Sequence, residues 1–216
     1  MDGAADVLPA HRLLREQTRA AHDAAEASAG MRALLGGALD EAGYRGLLAA
    51  QLRLFRAWEA ERAGEIAAVA GAWTYASRIP SLAADLSVGA HPVREAVGEN
   101  ATGPVAPREK MSRASALLQG HEAARSVDPT FWGELYVIEG STLGGQVIVR
   151  YLRERFPALP HAFYAMGERA TGQWRHFQQA LDAALPGPAT QHPAIAGAQR
   201  MFARYQRTLE DPGHHV

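Results

Sequence analysis

His22 and Glu26 stand four residues apart in Arg19-Ala-Ala-His-Asp-Ala-Ala-Glu26. On a helix this spacing puts both side chains on one face, where a carboxylate can reach an imidazole. A metal-ligating histidine needs such a partner: it binds the metal with one nitrogen and donates its other N–H to an acceptor that fixes tautomer and ring plane. Ordinary surface pairs use the same spacing, so the pair alone leaves both roles open. Arg15 lies seven residues earlier, two turns and about 10 Å along an unbroken helix. Its guanidinium could hold a carboxylate of a ligand bound at His22, or could simply face solvent.

A second constellation is Tyr136-Val-Ile-Glu-Gly-Ser-Thr-Leu-Gly-Gly-Gln146, which places Gly140, Gly144 and Gly145 inside a helical stretch. Three interior glycines forgo about 3 kcal/mol of helix propensity relative to alanine, so some local benefit is expected. Gly140 and Gly144 share a face, where bare backbone would let a flat ligand lie against the main chain. Close packing of a neighbouring helix is the rival use.

The elements that must position these residues are helices. Alanine, leucine, glutamate and arginine dominate, while isoleucine, valine and threonine are sparse, a balance that favours helix over sheet. Apolar spacing predicts a first helix from Pro9 to Gly30. A second is capped by Asp40 and spans Glu41 to Ala70, turning Leu47, Leu48, Leu52, Phe55 and Trp58 inward. Residues 78–108 carry Pro80, Pro92 and Pro104 and read as connection, with a short helix over Leu82 to Leu86. A helix over Glu109 to Leu118 follows, with 120–127 as a polar connection. Asp128 and Pro129 then start the long glycine-bearing helix, which runs to Phe156. Two more are expected over His161 to Leu185 and Pro193 to Glu210. The 216 residues need only one domain, with 1–8 and 211–216 as flexible tails.

Composition excludes several functions. The 22 basic and 23 acidic residues nearly cancel, giving no general attraction to nucleic acid or anionic lipid. Absence of cysteine excludes disulfides, thiolate metal sites and a cysteine nucleophile, and fits a cytoplasmic protein. No secretory signal or membrane-length apolar run is present. The chain has no Glu-x-x-His pair for a di-iron bundle, no HExxH, no Walker loop, no Gly-x-Ser-x-Gly elbow and no GxGxxG after a strand.

Taken together, the two constellations resemble the heme oxygenases, particularly the bacterial branch that supplies biliverdin to phytochromes. Leu14-Arg-Glu-Gln-Thr-Arg-Ala-Ala-His-Asp-Ala-Ala-Glu26 is similar to the family's proximal helix and Tyr136 through Val147 to its distal helix. Weaker likeness runs through Ile79-Pro-Ser-Leu-Ala-Ala-Asp-Leu86 and through Trp174 with Phe177.

The resemblance implies an all-α, multi-helix bundle holding heme b between its proximal and distal helices. It implies His22 as axial iron ligand, Glu26 as the support of that ligand, and Arg15 as a propionate anchor. Gly140, Gly144 and Gly145 become the distal backbone over the bound oxygen, and Ser141 a holder of water. Ser141 departs from the aspartate of animal enzymes and some bacterial ones, and Gln179 departs from a propionate-binding arginine. The implied reaction opens heme with dioxygen and electrons to biliverdin, carbon monoxide and ferrous iron. Electrons must come from a ferredoxin- or flavodoxin-type donor or from ascorbate, with Arg150, Arg153 and Arg155 as a candidate docking patch. A phytochrome is the candidate acceptor of biliverdin. The competing expectations are a heme carrier or sensor of the same fold, and a helical interaction module without heme.

Overall fold

The structure, a computed structural model, describes residues 8–87 and 122–210, apart from the side chains of 169–171. Among the described residues every regular element is a helix. Ten α-helices have both ends defined: α1 (Ala10–Gln17), α2 (Arg19–Glu26), α3 (Ala29–Leu35), α4 (Glu41–Glu61), α5 (Ala63–Ala68), α6 (Ile79–Ser87), α7 (Pro129–Arg155), α8 (Ala162–Ala165), α9 (Ala170–Ala184) and α10 (Pro188–Glu210). A 3₁₀ turn at Met166–Arg169 joins α8 to α9, and 122–126 are helical. The expected helix over 109–118 lies outside the described residues.

The predicted first helix is three. Thr18 leaves helical geometry at φ −109° and ψ 5°, and its hydroxyl donates back to the Leu14 carbonyl at 2.7 Å. This local bond offers the backbone an alternative to continued helix. Ser28 then caps α3 by accepting from the Met31 N–H. Gly30 falls inside α3 because an added Cβ would collide with the Leu209 carbonyl oxygen.

Asp40 caps α4 as expected, accepting from the Gly43 N–H at 2.8 Å. Leu47, Leu48, Leu52, Phe55 and Trp58 are buried. The helix stops at Arg62, eight residues short of Ala70, and α5 follows. The Arg62 side chain there donates to Glu134 at 2.8 and 2.9 Å and to Glu65 at 2.9 Å. α6 begins at Ile79, three residues earlier than predicted, and its buried Asp85 caps α8 through the N–H groups of Ala162 and Phe163.

α7 starts at Pro129, with the Asp128 carboxylate accepting from the Thr130 N–H. α10 starts at Pro188, five residues before the predicted Pro193, which the helix carries in its interior. The Gln191 amide secures that early start by donating to the carbonyls of Leu8 and Leu185. α7 and α10 form the most extensive helix pair. They approach where a Cβ on Gly133 would strike the Ala194 backbone and one on Gly197 the Thr130 backbone. The core around this crossing is aromatic, with Phe55, Trp58, Phe131, Trp132 and Phe177 fully buried.

Candidate functional site

α2 presents His22 half-exposed, its side chain 53% accessible. The ring meets Phe202 of α10 edge-on, with centroids 5.9 Å apart. Glu26 lies 3.6 Å from Nε2 and Asp23 lies 3.6 Å from Nδ1. At that distance the carboxylates flank the ring rather than clamp it, so either nitrogen can bind a metal while the other faces an acceptor. Sequence reasoning found Glu26 and missed Asp23, because adjacent residues on a helix do not normally share a face.

Three residues beyond Phe202, on the same face of α10, the Tyr205 hydroxyl lies 3.5 Å from Ser141 Oγ of α7. One helix therefore supports both the candidate ligand and the glycine-bearing segment. A second link crosses from α1. Burial raises the Tyr136 hydroxyl above its ordinary pKa, and the nearby Arg15 guanidinium pulls it back. Arg15 is thus linked to Tyr136 of α7 and His22 to Phe202 of α10, and the break at Thr18 puts the two on separate helices instead of one continuous stripe.

The three glycines of α7 have different surroundings. Nothing among the described residues lies within 4 Å of a Cβ placed on Gly144, and one on Gly140 would make only ordinary contact with Trp174, 3.5 Å away. Neither position needs glycine for packing against the described residues. Gly145 does: its Cβ would stand 2.8 Å from the Tyr164 carbonyl oxygen. Gly145 is buried against α8, where glycine is required by packing. Ser141 and Val147 are exposed on the same side as Gly144, Val147 at 68%.

The opposite face of α7 is anchored. Arg78, 1% exposed, donates to Glu139 at 2.9 Å, and the Trp73 indole donates to the same carboxylate at 3.1 Å. Glu59 accepts from the Tyr75 and Ser77 hydroxyls and from the Arg78 N–H. A cavity of about 410 Å³ lies beside this anchor, lined by Trp73, Arg78, Glu139, Thr142 and His176 among others. It is on the Glu139 side of the helix, not the Gly144 side.

Other predicted features are placed elsewhere. Arg153 makes a two-armed pair with Glu168 at 2.6 and 3.1 Å, and Arg155 sits over the Phe156 ring, so two of the three cluster arginines have internal partners. Gln179 is exposed. The buried His161 is no candidate ligand: its Nδ1 meets the Tyr44 hydroxyl and its Nε2 the Phe156 carbonyl, both at 3.1 Å.

The described residues include the donor set for a flat, carboxylate-bearing metal complex. An accessible imidazole is flanked by acceptors, an exposed guanidinium stands on the adjoining helix, and α7 carries no side chain at Gly144. The family model of the heme oxygenases matches residues 8–211. The chain belongs to the heme oxygenase family. It is an enzyme of that family, with the all-α fold that the sequence led us to expect. A heme oxygenase of Xanthomonas campestris pv. campestris (strain 8004) is 37% identical over 182 residues, covering 83% of this chain and 96% of the relative. The solved heme oxygenase of Leptospira interrogans matches at 20% identity with a TM-score of 0.68, covering 94% of this chain and all of that one, and supports the fold. No described helix of this heme oxygenase family member is long and apolar enough to cross a membrane.

Proposed function

We propose that this enzyme opens heme b to biliverdin, carbon monoxide and ferrous iron, using dioxygen and externally supplied electrons. The observation that carries the reading is the convergence on α10. Phe202 supports His22, and Tyr205, three residues on, supports Ser141 beside Gly140.

Bound heme is the substrate and also brings the iron that activates dioxygen. His22 holds that iron, with Asp23 and Glu26 flanking the ring to accept the N–H of its other nitrogen. Arg15 pairs with a propionate. Gly140 and Gly144 let the main chain of α7 lie close over the ring, confining a small ligand sideways toward the ring edge. Gly140, Ser141 and Gly144 bring no acid or base side chain to this wall. Ser141 supplies the polar side chain on this wall.

Electrons come from a ferredoxin- or flavodoxin-type donor, or from ascorbate. Any docking surface at the end of α7 rests chiefly on Arg150, given the internal partners of Arg153 and Arg155. Delivery of biliverdin to a phytochrome rests on sequence resemblance alone.

The test begins with hemin. A Soret band with an axial nitrogen signature is expected for the parent protein, and His22→Ala should lose that signature. If the variant keeps it, the ligand assignment is wrong. Reductant and oxygen should then convert the band to a biliverdin spectrum. A stable band under those conditions would indicate a carrier or sensor, and no band at all an interaction module.

A further inference from the structure

Ser141 is the exposed hydroxyl next to Gly140, and its hydrogen is directed to the Ile138 carbonyl at 2.8 Å. Its oxygen is therefore left to accept, and the Tyr205 hydroxyl stands 3.5 Å away. Tyr205 is buried, with Phe55 packed edge-on at 6.0 Å. Among the described residues no buried polar side-chain atom lacks a hydrogen-bond partner, and Ser141 is the partner of this hydroxyl. A buried hydroxyl without an acceptor is costly, so the tyrosine proton is committed to Ser141. Burial also holds the phenol protonated far into the alkaline range, which makes Tyr205 a permanent donor.

The Ile138 carbonyl lies within α7 and already receives a backbone N–H from the next turn. The bond from Ser141 is thus dispensable. The serine O–H can turn outward from the exposed face of α7 without orphaning a buried acceptor, while Tyr205 continues to donate to its oxygen from behind. Hydrogen bonds in such a chain polarise one another, which makes the outer hydroxyl a better donor.

Resting on the heme reading, we infer that Tyr205 and Ser141 form a two-hydroxyl donor aimed at a small hydrogen-bond-accepting ligand on the heme iron. Ser141 makes the contact, and Tyr205 is a positioning residue that acts through it.

Fluoride is the probe, because it coordinates ferric iron and accepts hydrogen bonds from groups beside it. The hemin-loaded protein is titrated with fluoride and followed by absorbance. Ser141→Ala should weaken binding about 10-fold and Tyr205→Phe about 3-fold, the range expected for one hydrogen bond. In the double variant Tyr205→Phe should add nothing to Ser141→Ala, since its only route is the serine. Ser141→Thr, which keeps the hydroxyl, should restore most of the affinity. Additive losses would overturn the inference, because Tyr205 would then act on the fold and not through Ser141. Should Tyr205→Phe fail to fold, the serine pair still decides: Ser141→Thr binding fluoride no better than Ser141→Ala overturns it. A parent protein that gives no Soret band with hemin removes the heme reading itself. Normal hemin binding with fluoride affinity unchanged in every variant removes only the donor.

Discussion

Gly133 and Gly144 sit on one helix, about three turns apart, and meet opposite surroundings. At Gly133 the backbone of α10 occupies the space a Cβ would need, whereas at Gly144 nothing described lies within 4 Å. The neighbouring side chains divide in the same way. Glu134 is buried and accepts from the Trp58 indole and twice from Arg62, while Ser141 and Val147 are exposed. The first half of α7 is fixed in place by backbone contact and buried charge, and the second half leaves one face, at Ser141, Gly144 and Val147, clear of the described residues. A glycine-rich helix therefore says nothing of function until its neighbours are known: the same residue type serves as hinge-free packing at one end and as a bare wall at the other.

The sharpest way to break this contrast is at the fixed end. Glu134→Ala would leave the Trp58 N–H and the Arg62 guanidinium without their buried acceptor. Removing one partner of a buried pair costs about 4 kcal/mol, and chemical denaturation should show that loss. Gly133→Ala comes next. Its methyl would strike main chain, which cannot rotate away, so the helices must separate at about 3 kcal/mol and the melting temperature should fall by about 10 °C. A melting temperature unchanged by Gly133→Ala would mean that the crossing is not as close as described.

Much of this division was readable from the chain. The His22 and Glu26 spacing, the Asp128-Pro129 start and the Gly140 and Gly144 face all follow from helical geometry, and each lies where that geometry puts it. The division among glycines was not readable. Gly145 differs from Gly144 only by a rotation of about 100° around the helix, and the Tyr164 backbone that fills its side is nineteen residues away in sequence. Phe202 and Tyr205 escaped notice for a related reason: aromatic residues at helical spacing read as core, and both are buried. Only the fold shows that one supports the imidazole and the other a hydroxyl of α7. The break at Thr18 was hidden because a threonine that bonds back to its own helix leaves no pattern in apolar spacing.

A smaller effect separates burial from packing in the region behind Gly145. Tyr164 lies fully buried there, and burial pushes its phenol up to about 12 from an ordinary 10.0. Because the folded state holds the proton more tightly, this contribution is intact below pH 10 and is lost as pH rises toward 12. At pH 12 the loss from this residue is about 2 kcal/mol. Tyr164→Phe should flatten the alkaline limb of a stability profile, after allowance for the lost bond from the Gln51 amide at 3.0 Å. An alkaline limb as steep in the variant as in the parent would assign the sensitivity to the buried Tyr44 and Tyr205 and the partly buried Tyr75, which are shifted in the same direction.

The least effect on the fold is expected at the open end, and there it is most informative. Gly144→Ala adds a methyl where no described residue lies within 4 Å and replaces a poor helix former with the best one, so the ligand-free protein should gain up to about 1 kcal/mol. The same methyl would project into the cleft where the main chain must approach a flat ring. Hemin affinity should therefore fall while stability rises, two outcomes that packing alone cannot produce together. Gly145→Ala supplies the control one residue away. Its methyl meets the Tyr164 carbonyl oxygen instead of the cleft, so it should lower stability and leave hemin affinity near that of the parent. If the two substitutions behaved alike, α7 would have no open face, and Gly144 would have to be assigned to packing with its neighbour.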